Sequence, residues 1–187
     1  MANADTPFGF RPIGGLDGSP YNGGTIRCAI LAADGTATFI GDMVKLSGTA
    51  AADGSPAVVQ STAGDATPAF GVITSFEASP ETSLEDQYRK ASTLRYCQVV
   101  PALDNLFVVQ CSGSAAITDI GEAADILVGT GSTVTGISAM ELEATVGTGD
   151  QVLMLGLSRE PNNEFGANAN LVVRFNETSL RGAGTPI

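Results

Sequence analysis

FIGDMVKLSG, residues 39–48, and AFGVITSF, residues 69–76, are the two runs of sequence that decide the fold. In the first run Val44 and Leu46 alternate with their neighbours, and the second run repeats this pattern. An alternation of period two is typical of a half-buried β-strand. Residues 47–68, between the runs, are rich in Gly, Pro, Ser and Asp, as loops are. We predict a strand–loop–strand unit that starts a small β-barrel or sandwich.

Glycine and aspartate mark the predicted turns. The Asp-Gly pair at residues 34–35 has alternating apolar residues before it and a returning strand at residues 36–40 after it, which indicates a hairpin. The Gly-Asp pair at residues 41–42 and Gly71 mark places where the backbone turns or is closely approached. A second Asp-Gly pair, at residues 53–54, falls in the predicted loop.

The rest of the chain contains further short strands with turn signals between them. They are predicted over residues 26–32, 94–100, 106–111, 152–157 and 171–175. Residues 79–92 predict one short helix or an ordered loop, and residues 115–131 predict either a short helix over 122–127 or a turn and a strand. Residues 133–140 suggest a hairpin around Gly136. Many short strands at regular spacing predict an all-β fold, a small barrel or sandwich with at most one or two short helices.

Length and charge restrict the possible partners. At 187 residues the chain is long enough for one domain with its own core. Twenty Asp and Glu against nine Lys and Arg give a net charge of −11. Nucleic acid and anionic membranes are therefore not expected as partners, because no basic patch is available to bind phosphates. The N-terminus resembles no secretory signal, and we expect synthesis in a reducing cytoplasm.

Three cysteines, Cys28, Cys97 and Cys111, each lie in an apolar, strand-like context. Their spacing matches no zinc motif, and their number is odd. We expect reduced thiols that pack as small hydrophobic side chains. No metal ligand set is predicted from them.

Catalytic patterns are scarce, and we predict no catalytic residue and no cofactor. The chain has no His, which removes the most common general base and the usual zinc sites. Residues 129–134 match a dinucleotide-binding fingerprint only poorly, since Val134 stands at the third Gly position. Paired carboxylates could support glycosidase chemistry, and the candidate pairs are Glu141 with Glu143, Asp119 with Asp125, and Glu160 with Glu164.

Residues 1–24 are rich in Gly and Pro and carry interleaved large apolar side chains. We interpret them as an extended N-terminal arm, and residues 25–187 as a β-rich body with an extended C-terminal tail. A purely flexible linker would not carry such side chains. They pack either on their own domain or on a neighbouring subunit or another protein. The residues predicted to bind a partner are Phe8, Phe10, Arg11, Ile13 and Tyr21.

Three segments carry a resemblance to a known group of proteins. These are PFGFRPIGGLDGSPYNGG at residues 7–24, GDMVKLSG at 41–48 and LGLSREPNNEFGAN at 155–168. They resemble structural proteins of tailed-bacteriophage heads, which are similar to capsid decoration, or cement, proteins.

The resemblance implies a β-rich body, with the β-tulip fold as one candidate, and an N-terminal segment that orders on the capsid. It implies a protein made in the bacterial host and placed on the outer surface of the virion, as a homotrimer at local threefold positions. The implied partners are the major capsid protein and further copies of the chain itself. Arg11 would pair with a capsid carboxylate.

Three other functions stay open at this point. Another phage head or tail component, such as a spike or fibre base, fits the composition, although a long fibre should show repeats or heptads. A carbohydrate-binding module usually presents exposed aromatic side chains, and this chain has no Trp and only three Tyr. A carboxylate-based glycosidase is the third alternative.

Overall fold

The computed structural model describes residues 3–78, 86–146, 151–176 and 178–181. These residues form an all-β fold, which confirms the predicted fold class. The strands are β1 (Arg11–Gly15), β2 (Ile26–Ile30), β3 (Met43–Ala50), β4 (Pro56–Gln60), β5 (Gly71–Phe76), β6 (Arg95–Pro101), β7 (Asn105–Gln110), β8 (Ser114–Ala115), β9 (Ala123–Leu127), β10 (Glu141–Val146), β11 (Val152–Leu157), β12 (Gly166–Ala167) and β13 (Asn170–Phe175). Two 3-10 turns, Ile117–Asp119 and Ser179–Arg181, are the only helical elements of the described residues.

Five strands close into a barrel in the order β2-β4-β3-β5-β6. All neighbouring pairs are antiparallel except β2 and β4, which run parallel and meet at Ala29 and Ala57. Closure leaves this sheet without an open edge, so every strand finds backbone partners on both sides. The buried side chains that fill it are Cys28, Ile30, Val44, Val58, Phe70, Ile73, Cys97 and Val99.

The run of sequence that predicted the fold lies in this barrel. Its two predicted strands are β3 and β5, which pair through Met43 and Val72. The prediction of a loop over residues 47–68 was wrong, because β4 lies inside it and pairs with β3. The apolar part of β4 is short and follows Pro56, so its alternation is too brief to detect. The turn between β3 and β4 contains Gly54, whose φ is 84°.

The hairpin predicted at residues 34–35 does not form, because β2 pairs with β6 and β4 instead of residues 36–40. Arg89, whose side chain is fully buried, occupies this region. Its guanidinium donates hydrogen bonds to the carbonyls of Leu31 and Asp34, both at 2.7 Å, and to the carbonyl of Thr36. The carbonyls of Leu31, Asp34 and Thr36 therefore accept hydrogen bonds from a side chain and not from a returning strand.

Six further strands form a second sheet in the order β1-β7-β13-β11-β9-β10. The backbone of Cys111, just beyond β7, forms an isolated β-bridge with Leu142 of β10. The sheet therefore curls back on itself. Strand β11 lies in the middle of the sheet, but only one of its faces is buried, and Leu155 on the other face is 39% exposed. Its continuous apolar run (VLMLGL) predicts a strand buried on both faces, which the structure contradicts. In β13, buried and half-buried residues alternate. The largest buried side chains inside this sheet are Phe10, Phe107, Ile126, Met140, Leu142, Met154 and Leu171.

The structure also tests the predictions for the segments between the main strands and for the C-terminal tail. Residues 123–127 form a strand, so the turn-and-strand alternative for residues 115–131 was right. Residues 133–140 form a turn and not a two-stranded hairpin, and Ile137 there bridges to Ile40. Residues 86–92 are not helical, whereas residues 79–85 of the predicted helix or loop lie outside the described residues. Residues 179–181 form a 3-10 turn, and the rest of the predicted extended tail lies outside the described residues.

The three cysteines are free and buried, as predicted. Cys28 and Cys97 lie directly opposite each other on β2 and β6, inside the barrel. Cys111 belongs to the core of the second sheet. Burial raises the pKa of the Cys28 thiol to about 11. These thiols therefore stay protonated at neutral pH and pack as apolar side chains.

The barrel and the second sheet meet at Asp42, which is 1% exposed. Its carboxylate accepts hydrogen bonds from the Phe39 amide and the Gln60 side chain, both at 2.8 Å, and from the Ser138 hydroxyl. Burial raises the pKa of Asp42 to about 6, although these hydrogen bonds oppose the shift. Asp42 thus connects β3 and β4 of the barrel to the segment that precedes β10.

Two glycines allow the chain to cross at this junction. Gly41 has a φ of 98° and Gly9 a φ of 70°. A Cβ on Gly41 would lie 2.8 Å from the Phe8 carbonyl oxygen, and one on Gly9 would lie 2.6 Å from the Gly41 carbonyl oxygen. The Phe10 amide donates to the Gly41 carbonyl at 2.9 Å. Any side chain at these positions would push the two segments apart.

We expect Gly41→Ala to lower the free energy of unfolding by about 3 kcal/mol, because it adds both backbone strain and a steric clash. Gly48→Ala is the matched control: Gly48 also has a positive φ, of 79°, but its Cβ would meet open space. The control should cost only about 1 kcal/mol. Urea denaturation followed by circular dichroism measures both values. Equal losses of unfolding free energy in the two variants would show that the steric clash at Gly41 does not reduce stability.

The buried carboxyl of Asp42 predicts a pH dependence of stability. Its pKa is about 6 in the folded state and near the ordinary aspartate value of 3.8 in the unfolded chain. The folded state therefore binds the proton more tightly, and the contribution of Asp42 to stability, full below pH 3.8, is lost as pH rises to about 6. The difference amounts to about 3 kcal/mol. Asp42→Asn should remove it.

The measurement is the free energy of unfolding of wild type and Asp42→Asn between pH 4 and pH 7. Carboxylates with lowered pKa values, such as Asp65 beside Lys45 (pKa about 2), titrate below this window and act equally in both proteins. The difference in free energy of unfolding between wild type and Asp42→Asn should change as the pH rises from about 4 to about 6, and it should become constant at higher pH. A constant difference would contradict a raised pKa at Asp42.

Candidate partner-binding surface

Hydrogen bonds hold the start of the chain against the second sheet. The Asn3 side chain donates to the carbonyls of Glu164 and Ala167, at 2.8 and 2.9 Å. Gln110, which is 2% exposed, donates to the Ala4 carbonyl at 2.9 Å and accepts from the Thr6 amide at 3.0 Å. Residues 3–6 therefore lie along the body. The expected extended arm is not a separate segment in the described residues.

Phe10 lies inside the second sheet and is only 1% exposed. Its ring centroid is 5.3 Å from that of Phe175, which in turn lies 5.0 Å from that of Phe107. This places Phe10 on its own domain, one of the two alternatives for the N-terminal apolar residues. A partner cannot contact Phe10 unless β1 leaves the sheet.

Half-buried Phe8 and exposed Arg11 lie next to each other in the N-terminal segment. The Arg11 guanidinium lies 4.1 Å from the centre of the Phe8 ring, a cation–π contact. Arg11 forms no ion pair with a described carboxylate. The stacked pair therefore presents a positive charge on an apolar base, which suits recognition of a carboxylate.

These two side chains line a groove of about 520 Å³, which we call the N-terminal groove. Its other lining residues are Thr6, Pro7, Thr130, Ser132, Thr135, Ile137, Ala139, Glu160 and Asn170. Ile137 is 37% exposed, and Val134, at the tip of the same turn, is 83% exposed. Sequence reasoning missed this turn as part of a surface because residues 133–140 were interpreted as a hairpin. The available signal was an isolated Val among Ser, Thr and Gly.

The other two predicted residues, Ile13 and Tyr21, lie outside the groove lining. Ile13 is 44% exposed, at a register shift in β1, which is an edge strand. Tyr21 is half-buried against the core of the second sheet. Burial raises the pKa of its phenol, although a hydrogen bond with Thr74 opposes the shift. Of the five predicted residues, the structure thus brings only Phe8 and Arg11 together in one surface.

Two of the candidate catalytic carboxylates, Asp119 and Glu160, accept hydrogen bonds from nearby groups of the fold. Asp119 accepts a hydrogen bond from the Ala116 amide at 2.7 Å and so caps a 3-10 turn. Glu160 accepts one from the Asn170 side chain at 3.0 Å. Glu141 is half-buried, and burial followed by the charge of Asp5 raises its pKa. Among the described residues no cluster of three or more acidic or Cys side chains could hold a metal ion.

The chain was compared with protein-family models, curated proteins and solved structures, and no match was found in any of the three. In the described part of the chain, neither helical turn could cross a membrane.

Phe10 and Ile13 give a direct test of which N-terminal side chains belong to the core. Phe10→Ala should lower the free energy of unfolding by about 3–5 kcal/mol, because it leaves a cavity in the core beside the rings of Phe175 and Phe107. Ile13→Ala removes a side chain that is 44% exposed and should cost less than about 1 kcal/mol. Thermal and urea denaturation measure both. If Phe10→Ala is as stable as wild type, Phe10 is not held in the core.

Proposed function

We propose that this protein is a structural protein of a tailed-bacteriophage head that binds the outer surface of the capsid and stabilises the mature shell. Its partners would be the major capsid protein and two further copies of itself, in a trimer at local threefold positions. It would be made in the bacterial host cytoplasm and end on the outside of the virion. The proposal includes no enzymatic activity and no cofactor.

The observation that carries this proposal is the N-terminal groove. It combines Arg11, a cation on the Phe8 ring that has no ion-pair partner among the described residues, with the apolar side chain of Ile137. Val134, at the tip of the same turn, extends this apolar area beside the groove. Arginine and aromatic side chains are enriched among the residues that dominate protein–protein binding. A capsid surface that presents a carboxylate among apolar side chains would complement this groove.

The net charge and the architecture are compatible with this role. A chain with a net charge of −11 is repelled by packaged DNA and by anionic lipid, so a protein surface is the favoured partner. A protein that stabilises a shell must also keep its shape under load. The closed barrel and the curled second sheet, joined at buried Asp42, supply such a body.

The test is co-sedimentation of the purified protein with expanded, undecorated shells of its virus, with unexpanded shells as the control. Saturable binding to expanded shells is expected, at a stoichiometry near the number of capsid subunits. If wild-type protein binds neither shell, the proposal fails, and a role in the tail or as a carboxylate enzyme would take its place.

Variants locate the binding surface. Arg11→Ala, in the groove, and Val134→Ser, at the exposed tip of the turn that lines it, should each weaken shell binding by about tenfold or more, as expected where a few contacts dominate binding. Leu46→Ser, which changes an exposed apolar residue on the barrel, is the control and should bind like wild type. Equal binding by all three variants would show that the N-terminal groove does not contact the capsid.

A further inference from the structure

The outer surface of the second sheet carries an apolar area centred on Arg174. In β13, Leu171, Val173 and Phe175 point into the core, so Val172 and Arg174 point outward. Arg174 lies opposite Leu153 of β11, and the register of β13 with β7 brings Leu106 to its other side. We call Leu106, Leu153, Leu155, Val172 and Arg174 the cationic patch.

Arg174 has no ion-pair partner within the part of the chain that the structure describes. No salt bridge joins it to a described carboxylate, although the chain has twenty acidic residues and only nine basic ones. Its cross-strand neighbours are apolar, and Leu155 nearby is 39% exposed. Leu106, Leu153 and Arg174 are half-buried, so the patch combines one cation with apolar side chains that are only partly covered. Such a surface fits a partner that brings both a carboxylate and apolar area.

A complementary surface lies on β9 and β10 of the same sheet. Leu127 of β9 is 43% exposed and lies opposite Glu141 of β10. Glu143, two residues further on the same face, is exposed, and Asp125 is two residues before Leu127 on β9. Burial and the charge of Asp5 raise the pKa of Glu141, so negative charge is already crowded here. We call Asp125, Leu127, Glu141 and Glu143 the acidic patch.

We infer that the cationic patch of one copy binds the acidic patch of a second copy. Pairing of two cationic patches would place Arg174 against Arg174, which like-charge repulsion opposes. In the trimer of the proposed function this contact would repeat head-to-tail, with the cationic patch of each copy on the acidic patch of the next, and such contacts generate rings when the rotation closes. This inference rests on the self-association included in the proposed function and names the surfaces that produce it.

The experiment needs only the isolated protein, with its mass in solution measured by sedimentation velocity over a range of concentrations. Wild type should form a closed oligomer. Arg174→Glu and Glu143→Lys should each weaken self-association by about tenfold or more. The double variant Arg174→Glu/Glu143→Lys should restore it, because the opposite charges face each other again.

Arg159→Glu is the matched control, since Arg159 is exposed, outside both patches, and undergoes the same change of charge. It should associate like wild type. Circular dichroism verifies that each variant is folded. A monomeric wild type, or a double variant no better than the two single variants, would overturn the inference.

The shell co-sedimentation experiment separates this inference from the proposed function. Arg174→Glu protein that is monomeric but still binds shells would show that self-association and capsid binding use different surfaces. An oligomeric wild type that binds no shell would leave the head-to-tail contact intact and remove the capsid role.

Discussion

The buried carboxylate of Asp42 is the constraint on which the arrangement of the two sheets depends. A carboxylate that is 1% exposed is costly unless it is hydrogen-bonded, and its partners come from three separate segments: the Phe39 amide, the Gln60 side chain and the Ser138 hydroxyl. Phe39 and Gln60 belong to the barrel side, and Ser138 precedes β10. The barrel and the second sheet must therefore meet in one orientation, and Gly9 and Gly41 provide the room for it.

Two buried arginines also have their charged groups satisfied by hydrogen bonds, in this case to carbonyls of the loops. Arg89 and Arg95 donate mainly to backbone carbonyls, and Arg95 reaches those of Glu77, Asp86 and Tyr88. Burial lowers the pKa of both guanidinium groups, but a guanidinium remains charged at neutral pH. Long irregular segments beside the barrel thus have their polar groups satisfied without becoming strands. This allows an all-β protein to carry much irregular structure beside a closed barrel.

The N-terminal segment has two physical roles that its sequence does not separate. Phe10 contributes to the core, whereas Phe8 and Arg11, within three residues of it, form part of the surface. Phe10 and Arg11 are sequence neighbours at the start of a strand and so face opposite sides. Phe8 is separated from Phe10 by Gly9, whose φ of 70° interrupts the extended alternation that would otherwise place the two rings on the same face. Aromatic residues in a Gly- and Pro-rich segment are therefore a signal of burial, and the structure decides which of them remain available to a partner.

By itself the sequence determined the fold class, because the period-two alternation in β3, β5 and β13 depends only on one face of each strand being buried. It also predicted the buried thiols and the importance of the Gly-Asp pair at residues 41–42. Only the tertiary structure decided that the Asp-Gly pair at 53–54 and not the pair at 34–35 makes a hairpin. It also decided that Arg11 and the turn around Val134 lie at the same groove, which Arg11 and Ile137 both line. These outcomes depend on pairing between residues far apart in the chain, such as β2 with β6 and Ile40 with Ile137, and local sequence contains no information on which distant partner is bound.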